Sequence, residues 1–305
     1  MKHVWYYFDS FLTTFESSTK DAHHDELLKE ILATVNDKMK RTLKLSQEKG
    51  AGLWLPANPS ESYRFTLNKQ DFRDSICLRY DWRVPNTSSY CQCGQKNDVD
   101  HALSCKKGGY VIMRHNKIRD LEAELLKEVC SDVKIEPALL PVANDHVLRE
   151  TTDTNDGSRL DVSAIGLYTP QGRVFGDVKI THLNCKSYLN TEIAQVYLTH
   201  ETQKKRKYNE RVIQVEKGTF TPIVMSTSGG MGPEAEKFHK RIARSISEKK
   251  GETYSSVMNF IRTRLRFCLL KSVLTSIRGV RGKKEVCNVT PISSLSFNLI
   301  DCGDE

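Results

Sequence analysis

The sequence predicts an α/β fold: a central mixed β-sheet with a β-hairpin and flanking helices, preceded by a helical N-terminal region and a small zinc knuckle. Three observations lead there. Residues 159–182 read as two strands joined by Thr-Pro-Gln-Gly, because β-branched and apolar residues fill both arms and turn formers sit between them. Helical periodicity frames this hairpin, in residues 114–130 before it and 190–214 after it. A β-branched run at 219–227 follows, so the order becomes helix, strand, strand, strand, helix, strand, helix.

In chain order, residues 1–48 are polar and Lys-rich, with Leu27, Leu28, Ile31, Leu32 and Val35 at the spacing of a packing helix. Gly50, Gly52, Pro56 and Pro59 break that pattern, and the connector holds an apolar knot, Leu53-Trp54-Leu55. Lys69 to Tyr80 is helical again, offering Phe72, Ile76 and Leu78 to a core. The expected partition is 1–90 for the helical region and connector, 91–110 for the knuckle, 111–280 for the main domain and 281–305 for a polar tail.

The knuckle rests on the spacing C-x-C-x7-H-x3-C, formed by Cys91, Cys93, His101 and Cys105. Two thiolates on a tight turn, then a His and a Cys one helical turn apart, can close a tetrahedral Zn2+ shell, and Gly94 lets the backbone curl around it. A shell of four protein ligands leaves no position for water or substrate, so such a zinc is structural. The bland reading is a set of reduced cysteines that happen to be close.

Residues 114–130 place Ile118, Leu121, Leu125, Leu126 and Val129 on one stripe. Asn116, Asp120, Glu124 and Lys127 lie opposite. Glu122 projects near the apolar stripe, where a carboxylate needs a partner or a metal. Val133 to Glu136 is a short strand ended by Pro137. In the hairpin, Asp161 is expected on one face with Arg159 and Ser163, and Leu160, Val162 and Ala164 on the other. Asp177 and Lys179 share a face of the second arm, with Val178 and Ile180 behind them. Two carboxylates and a lysine on one side of a hairpin outline a metal and phosphate site.

The helix at 190–214 carries His200, Lys204, Lys205, Arg206 and Lys207, a density suited to phosphate contacts, although such clusters are ordinarily solvated faces. The strand at 219–227 ends at Ser228-Gly-Gly-Met-Gly-Pro233. Two helices follow, Glu234 to Lys249 and Tyr254 to Ile277, the second studded with Arg262, Arg264 and Arg266.

A chain of 305 residues can bury a sizeable core, and its net charge of +8 favours an anionic partner such as nucleic acid. Nine cysteines are an odd number in a long chain and do not suggest a secreted disulfide framework; Cys77, Cys130, Cys185 and Cys268 lie among apolar residues. No apolar run is long enough to span a membrane, and Asp9 and Glu16 interrupt any signal-peptide core, so a nuclear or cytoplasmic protein is expected. The chain has no Walker-type loop, nucleophile elbow or kinase signature, and no small-molecule cofactor is expected.

One Asp on the second strand and Asp-x-Lys on the third resemble the PD-(D/E)xK nuclease superfamily, with Leu160 where that name has proline. The Cys/His pattern, Arg114-His115-Asn116, Glu136-Pro137, Leu160-Asp161 and Asp177-Val178 together resemble the C-terminal region of site-specific non-LTR retrotransposon polyproteins. There a CCHC zinc knuckle precedes a restriction-like endonuclease that nicks target DNA to prime reverse transcription. The run from Cys91 to about Arg281, with His101-Ala-Leu-Ser-Cys105-Lys-Lys-Gly-Gly and Phe220-Thr-Pro-Ile-Val, is also similar to a set of uncharacterised invertebrate proteins of retroelement origin. No reverse-transcriptase motif is present.

The resemblance implies a DNA endonuclease, with RNA as a second candidate partner. Asp161 and Asp177 would hold one or two Mg2+ ions. Lys179 is the lysine of the motif, but in the retroelement branch that lysine lies downstream on a helix, which makes Lys204 and Lys205 its rivals. Glu136 is a candidate further ligand and His115 a candidate substrate contact. The alternative is a catalytically inactive remnant that binds nucleic acid, and a weaker one is an interaction protein whose acids are surface charges.

Overall fold

Alternating apolar residues, interrupted by Gly and Pro at the turns, draw four short segments of this chain into one sheet. The computed structural model of the protein describes residues 17–142, 151–155 and 157–279. Among the described residues, eight helices accompany the sheet: α1 (Ser17–Thr34), α2 (Asp37–Gln47), α3 (Lys69–Arg79), α4 (Val99–Ser104), α5 (Tyr110–Lys127), α6 (Ile193–Gln214), α7 (Pro233–Lys250) and α8 (Tyr254–Arg278). The strands are β1 (Ser131–Ile135), β2 (Val162–Ile165), β3 (Arg173–Thr181) and β4 (Thr219–Ser226), in the order β1-β2-β3-β4.

The first three strands form an antiparallel meander. β4 joins β3 in parallel, which requires a crossover, and α6 provides it. The turn of the hairpin closes through Gly172 N–H donating to the Thr169 carbonyl at 3.1 Å. Gly176, just before Asp177, is packed from two sides: a Cβ there would lie 2.8 Å from Val162 Cγ2 and 3.0 Å from Ile223 Cδ1. A side chain at that position would push β2 or β4 away from the strand that carries Asp177.

The sheet is covered on both faces. Val162, Ala164, Val174, Val178, Ile223 and Met225 pack in one core with α5, α7 and α8. Phe175 and Phe220 meet Tyr208 and Val212 of α6 on the other side. The hairpin face that carries Asp177 is not open, because the crossover helix lies over it. Alternation also breaks at Asp161. Leu160 joins the cluster under α6 while Val162 joins the opposite core, so these two do not share a face.

The expected N-terminal helix forms as α1, with Leu28, Leu32 and Val35 half-buried but Leu27 and Ile31 44% and 48% exposed, and the fully buried contact of this region comes from Leu45 of α2. The knot at Trp54 does pack, against Phe65, Phe267, Leu270 and Leu274. Helix α8 is apolar on several sides because it serves three clusters: Ile261, Leu265 and Leu269 in the main core, Phe267 and Leu270 under Trp54, and Val273 and Ile277 beside α4. Glu122 finds a protein partner rather than a metal: His239 Nε2 lies 2.9 and 3.0 Å from its two oxygens, with both side chains fully buried. Residues 281–305 and most of the polar loop before Thr151 lie outside the described residues.

One half-buried carboxyl was not anticipated. Glu48, just past α2, accepts from Tyr197 Oη at 2.8 Å and lies under Gly230, where a Cβ would collide with it. Burial, resisted by the Tyr197 and Ser226 hydroxyls and the charge of Arg41, pushes it up to about 7. The free residue titrates near 4, so between those values the folded chain binds a proton that the unfolded chain has released. Stability should therefore fall as pH rises from about 4 through 7, by roughly 3 kcal/mol from this group. Denaturant midpoints measured at pH 5 and pH 8 should show that drop in the wild type and a much smaller one in Glu48→Gln.

Candidate active site and metal group

Asp161 is anchored by its own backbone before its side chain is considered. Its N–H donates to the Gly176 carbonyl at 3.1 Å, and its carbonyl accepts from Glu136 N–H at 2.9 Å. This places the carboxyl where β2 emerges between β1 and β3. Oδ2 then accepts from the Val178 N–H at 2.6 Å and from His115 Nε2 of α5 at 3.1 Å. The same His115 nitrogen lies 3.2 Å from the Val178 carbonyl. Burial works to raise the Asp161 pKa, but hydrogen bonds and charge from His115, with the Val178 amide, outweigh it and hold the carboxyl below its usual range. The same contact, resisted by burial, raises His115.

Asp177 stands on β3, opposite Pro222 in the parallel ladder, and is 6% exposed. It faces α6, as Phe175 does two residues earlier. From that helix Lys204 reaches Asp177 Oδ2 in an ion pair. The carboxyls of Asp161 and Asp177 approach closely enough to hydrogen-bond when one is protonated. Burial raises Asp177, Lys204 opposes and the charge of Asp161 reinforces, and the result is a carboxyl pushed up to about 6. Lys179 is lowered by burial and by Lys204, against the pull of Asp177. His200, one turn before Lys204, is lowered by burial and by Lys179, and its Nε2 lies 3.1 Å from Tyr188 Oη.

Of the residues singled out from sequence, Asp161, Asp177, Lys179, Lys204 and His115 share this spot. Lys205 and Glu136 are engaged elsewhere. Lys205, one position round the helix, pairs with Glu234 at 3.4 Å. Glu136, at φ +51, pairs with Arg119 of α5. Arg114 is a structural residue inside α5, which starts four residues before it: its buried guanidinium donates to the Leu103 carbonyl at 2.9 Å.

The Cys/His group is built by a turn and a short helix. Cys91 N–H donates to the Gln95 carbonyl and Gly94 N–H to the Cys91 carbonyl, both at 2.8 Å, with Gly94 at φ +86. Asp98 caps α4 by accepting from His101 N–H at 2.7 Å, and one helical turn then separates His101 from Cys105. The ligand atoms of Cys91, Cys93, His101 and Cys105 all lie within 4.8 Å of one another, so the four could hold a metal ion. The helix packs through Ala102 and Leu103 onto Cys77, Val84, Val273 and Ile277. Asp100 ties it to the end of β3, 2.9 Å from His182 Nε2.

Fold and site thus define an α/β protein with a four-stranded mixed sheet, a partly buried Asp-Asp-Lys cluster and a separate group of three cysteines and one histidine that could hold a metal ion. The chain matches no family model and no curated protein. Among the described residues no helix is long and apolar enough to cross a membrane.

Proposed function

We propose that this chain is a Mg2+-dependent DNA endonuclease of the restriction-like, non-LTR retroelement type, cleaving phosphodiester bonds at Asp161, Asp177 and Lys204. One observation carries the reading: three residues distant in sequence, on β2's leading edge, β3 and the crossover helix, meet in one partly buried cluster around Asp177. The order α5-β1-β2-β3-α6-β4 around the mixed sheet agrees with that class of fold.

The carboxyl pair suits a hard divalent cation. A buried acid beside a half-buried one, balanced by Lys204, leaves Asp177 with a pKa of about 6, a sign that the site holds less positive charge than two carboxylates need. Asp161 and Asp177 would hold the ion. Bound there, Mg2+ supplies an activated water and neutralises charge on the phosphate. Lys204 donates to a phosphate oxygen as negative charge builds, and Lys179 adds a second cation nearby. His115 fixes the orientation of Asp161 and acts as a positioning residue rather than as the substrate contact expected from sequence.

The Cys/His group is read as structural zinc. Zn–S bonds of about 2.3 Å in a tetrahedron set the sulfurs about 3.8 Å apart. The Cys91 and Cys105 sulfurs are 3.9 Å apart.

A second reading, a nucleic-acid-binding protein without cleavage, is favoured by Asp161 Oδ2, which already accepts from two protein donors. Supercoiled plasmid separates the two. Nicking that requires Mg2+ and stops in EDTA is the expected result, whereas salt-dependent binding with no nicking selects the second reading.

A further inference from the structure

Beyond the carboxyl ends of β3 and β4 lies a cavity of 70 Å³ that the proposed nuclease chemistry does not use. His182 on its wall is five residues past Asp177, about 16 Å along an extended strand. Arg266 of α8 and Arg79 of α3 line it, with Asn184, Ser46, Thr227 and Ser228. Nε and Nη1 of Arg266 are out of contact with solvent and have no hydrogen-bond partner among the described residues. Burial, with the charge of Arg79 beside it, pushes this guanidinium down to about 9.

Arg266 is half-buried, but two of its N–H-bearing nitrogens are shut off from solvent and idle, and such groups are costly to bury, so they call for an acceptor that the protein does not provide. The carboxylates on the cavity wall are already engaged, Asp81 by Lys38 at 3.4 Å and Asp100 by Lys38 and His182, each at 2.9 Å. Arg79 gives one N–H to the Ser46 carbonyl at 3.0 Å. Gly229, at φ +104, lets the loop after β4 lie against Arg266: a Cβ there would sit 2.7 Å from Arg266 Cδ. One buried acceptor is idle too. Asn184 donates to Thr42 Oγ1 at 2.8 Å, and its Oδ1 has no partner among the described residues.

We propose that this cavity binds a phosphate group, gripped by the N–H groups of Arg266 and Arg79, with Asn184 Oδ1 accepting from a P–OH. Two guanidinium forks match a tetrahedral oxyanion, and the idle acceptor favours phosphate over sulfate, which carries no proton at neutral pH. At roughly 10–15 Å³ per water, the cavity has room for about five waters or one such anion. The phosphate could be free or the 5′-phosphate of a nucleotide or strand. The inference stands on this cavity alone and does not require cleavage at Asp177.

The test is the thermal midpoint of the whole chain in rising inorganic phosphate, with sodium chloride holding ionic strength constant. The wild type should gain midpoint with phosphate, less with sulfate and not at all with chloride. Arg266→Met and Arg79→Met should each weaken the apparent affinity at least tenfold, while Lys204→Met keeps it. A thymidine 5′-phosphate or 5′-phosphorylated oligonucleotide that outperforms inorganic phosphate points to nucleic acid as the source; equal or weaker action points to the free ion. Equal wild-type midpoints in phosphate and chloride overturn the proposal, as does a phosphate response that survives the arginine substitutions. If Arg266→Met fails to fold, Arg79→Met decides.

Discussion

Asp161→Ala and Asp177→Ala should each reduce Mg2+-dependent nicking of supercoiled plasmid to the level of buffer alone. For Asp177 the reason is charge and not architecture. Asp177 is raised to about 6 by burial and by Asp161, so the fold is burdened by that anion and does not depend on it. Its removal should leave the thermal midpoint unchanged or higher while activity disappears, the signature of a group kept for chemistry. The lysines sort by geometry in the same assay. Lys204→Ala should lower the rate by about a hundredfold or more, as loss of one preorganised donor to developing charge does. Lys205→Ala should stay within about twofold, because that side chain is paired with Glu234 on another face of α6. Full activity in both aspartate variants would contradict the assignment.

The second large effect belongs to the Cys/His group. Purified protein should carry one zinc per chain, and Cys105→Ser should lose it. A structural zinc supplies about 10 kcal/mol or more to the unit it closes, so stripping the metal should unfold the segment from Cys91 to Cys105. The consequence should spread, because α4 packs on Val273 and Ile277 of α8 and its Leu103 carbonyl holds Arg114. Hydrogen exchange should therefore show lost protection in α4 and at both contacts, with the β2–β3 hairpin unaffected. Zinc below stoichiometry, unchanged by Cys105→Ser, would argue for idle thiols.

Much of this arrangement is legible in the sequence because it is local. The hairpin, helix α5 and the α6-β4 crossover follow from periodicity and turn residues, and the four Cys/His positions follow from ligand spacing. What sequence could not supply is rotation and depth. Lys179, Lys204 and Lys205 are equally plausible on paper, and only the roll of α6 over the sheet brings Lys204 to Asp177 while sending Lys205 to Glu234. Glu136 keeps its place beside Asp161 through the backbone, but a left-handed φ and Arg119 turn its side chain away. Glu48, Arg114 and Arg266 read as surface charges in a polar helix pattern. The depth of Arg114 and the partial burial of Glu48 and Arg266 depend on elements far away in sequence; Arg114 is named by the family motif and Arg266 by its charge alone, and neither signal shows depth. The stripe of α1 is covered only in part, with Leu28, Leu32 and Val35 half-buried and Leu27 and Ile31 exposed: helical spacing shows which residues share a face, not how deeply each is covered.

Whether Asp161 and Asp177 jointly hold a divalent cation is read most directly by electron paramagnetic resonance of Mn2+, used in place of Mg2+, titrated into zinc-loaded protein. The wild type should bind one or two ions, displaced by excess Mg2+, and the Asp161→Ala, Asp177→Ala double variant should bind none. Equal Mn2+ binding by the wild type and the double variant, or no binding by the wild type, would contradict a metal site at this carboxylate pair.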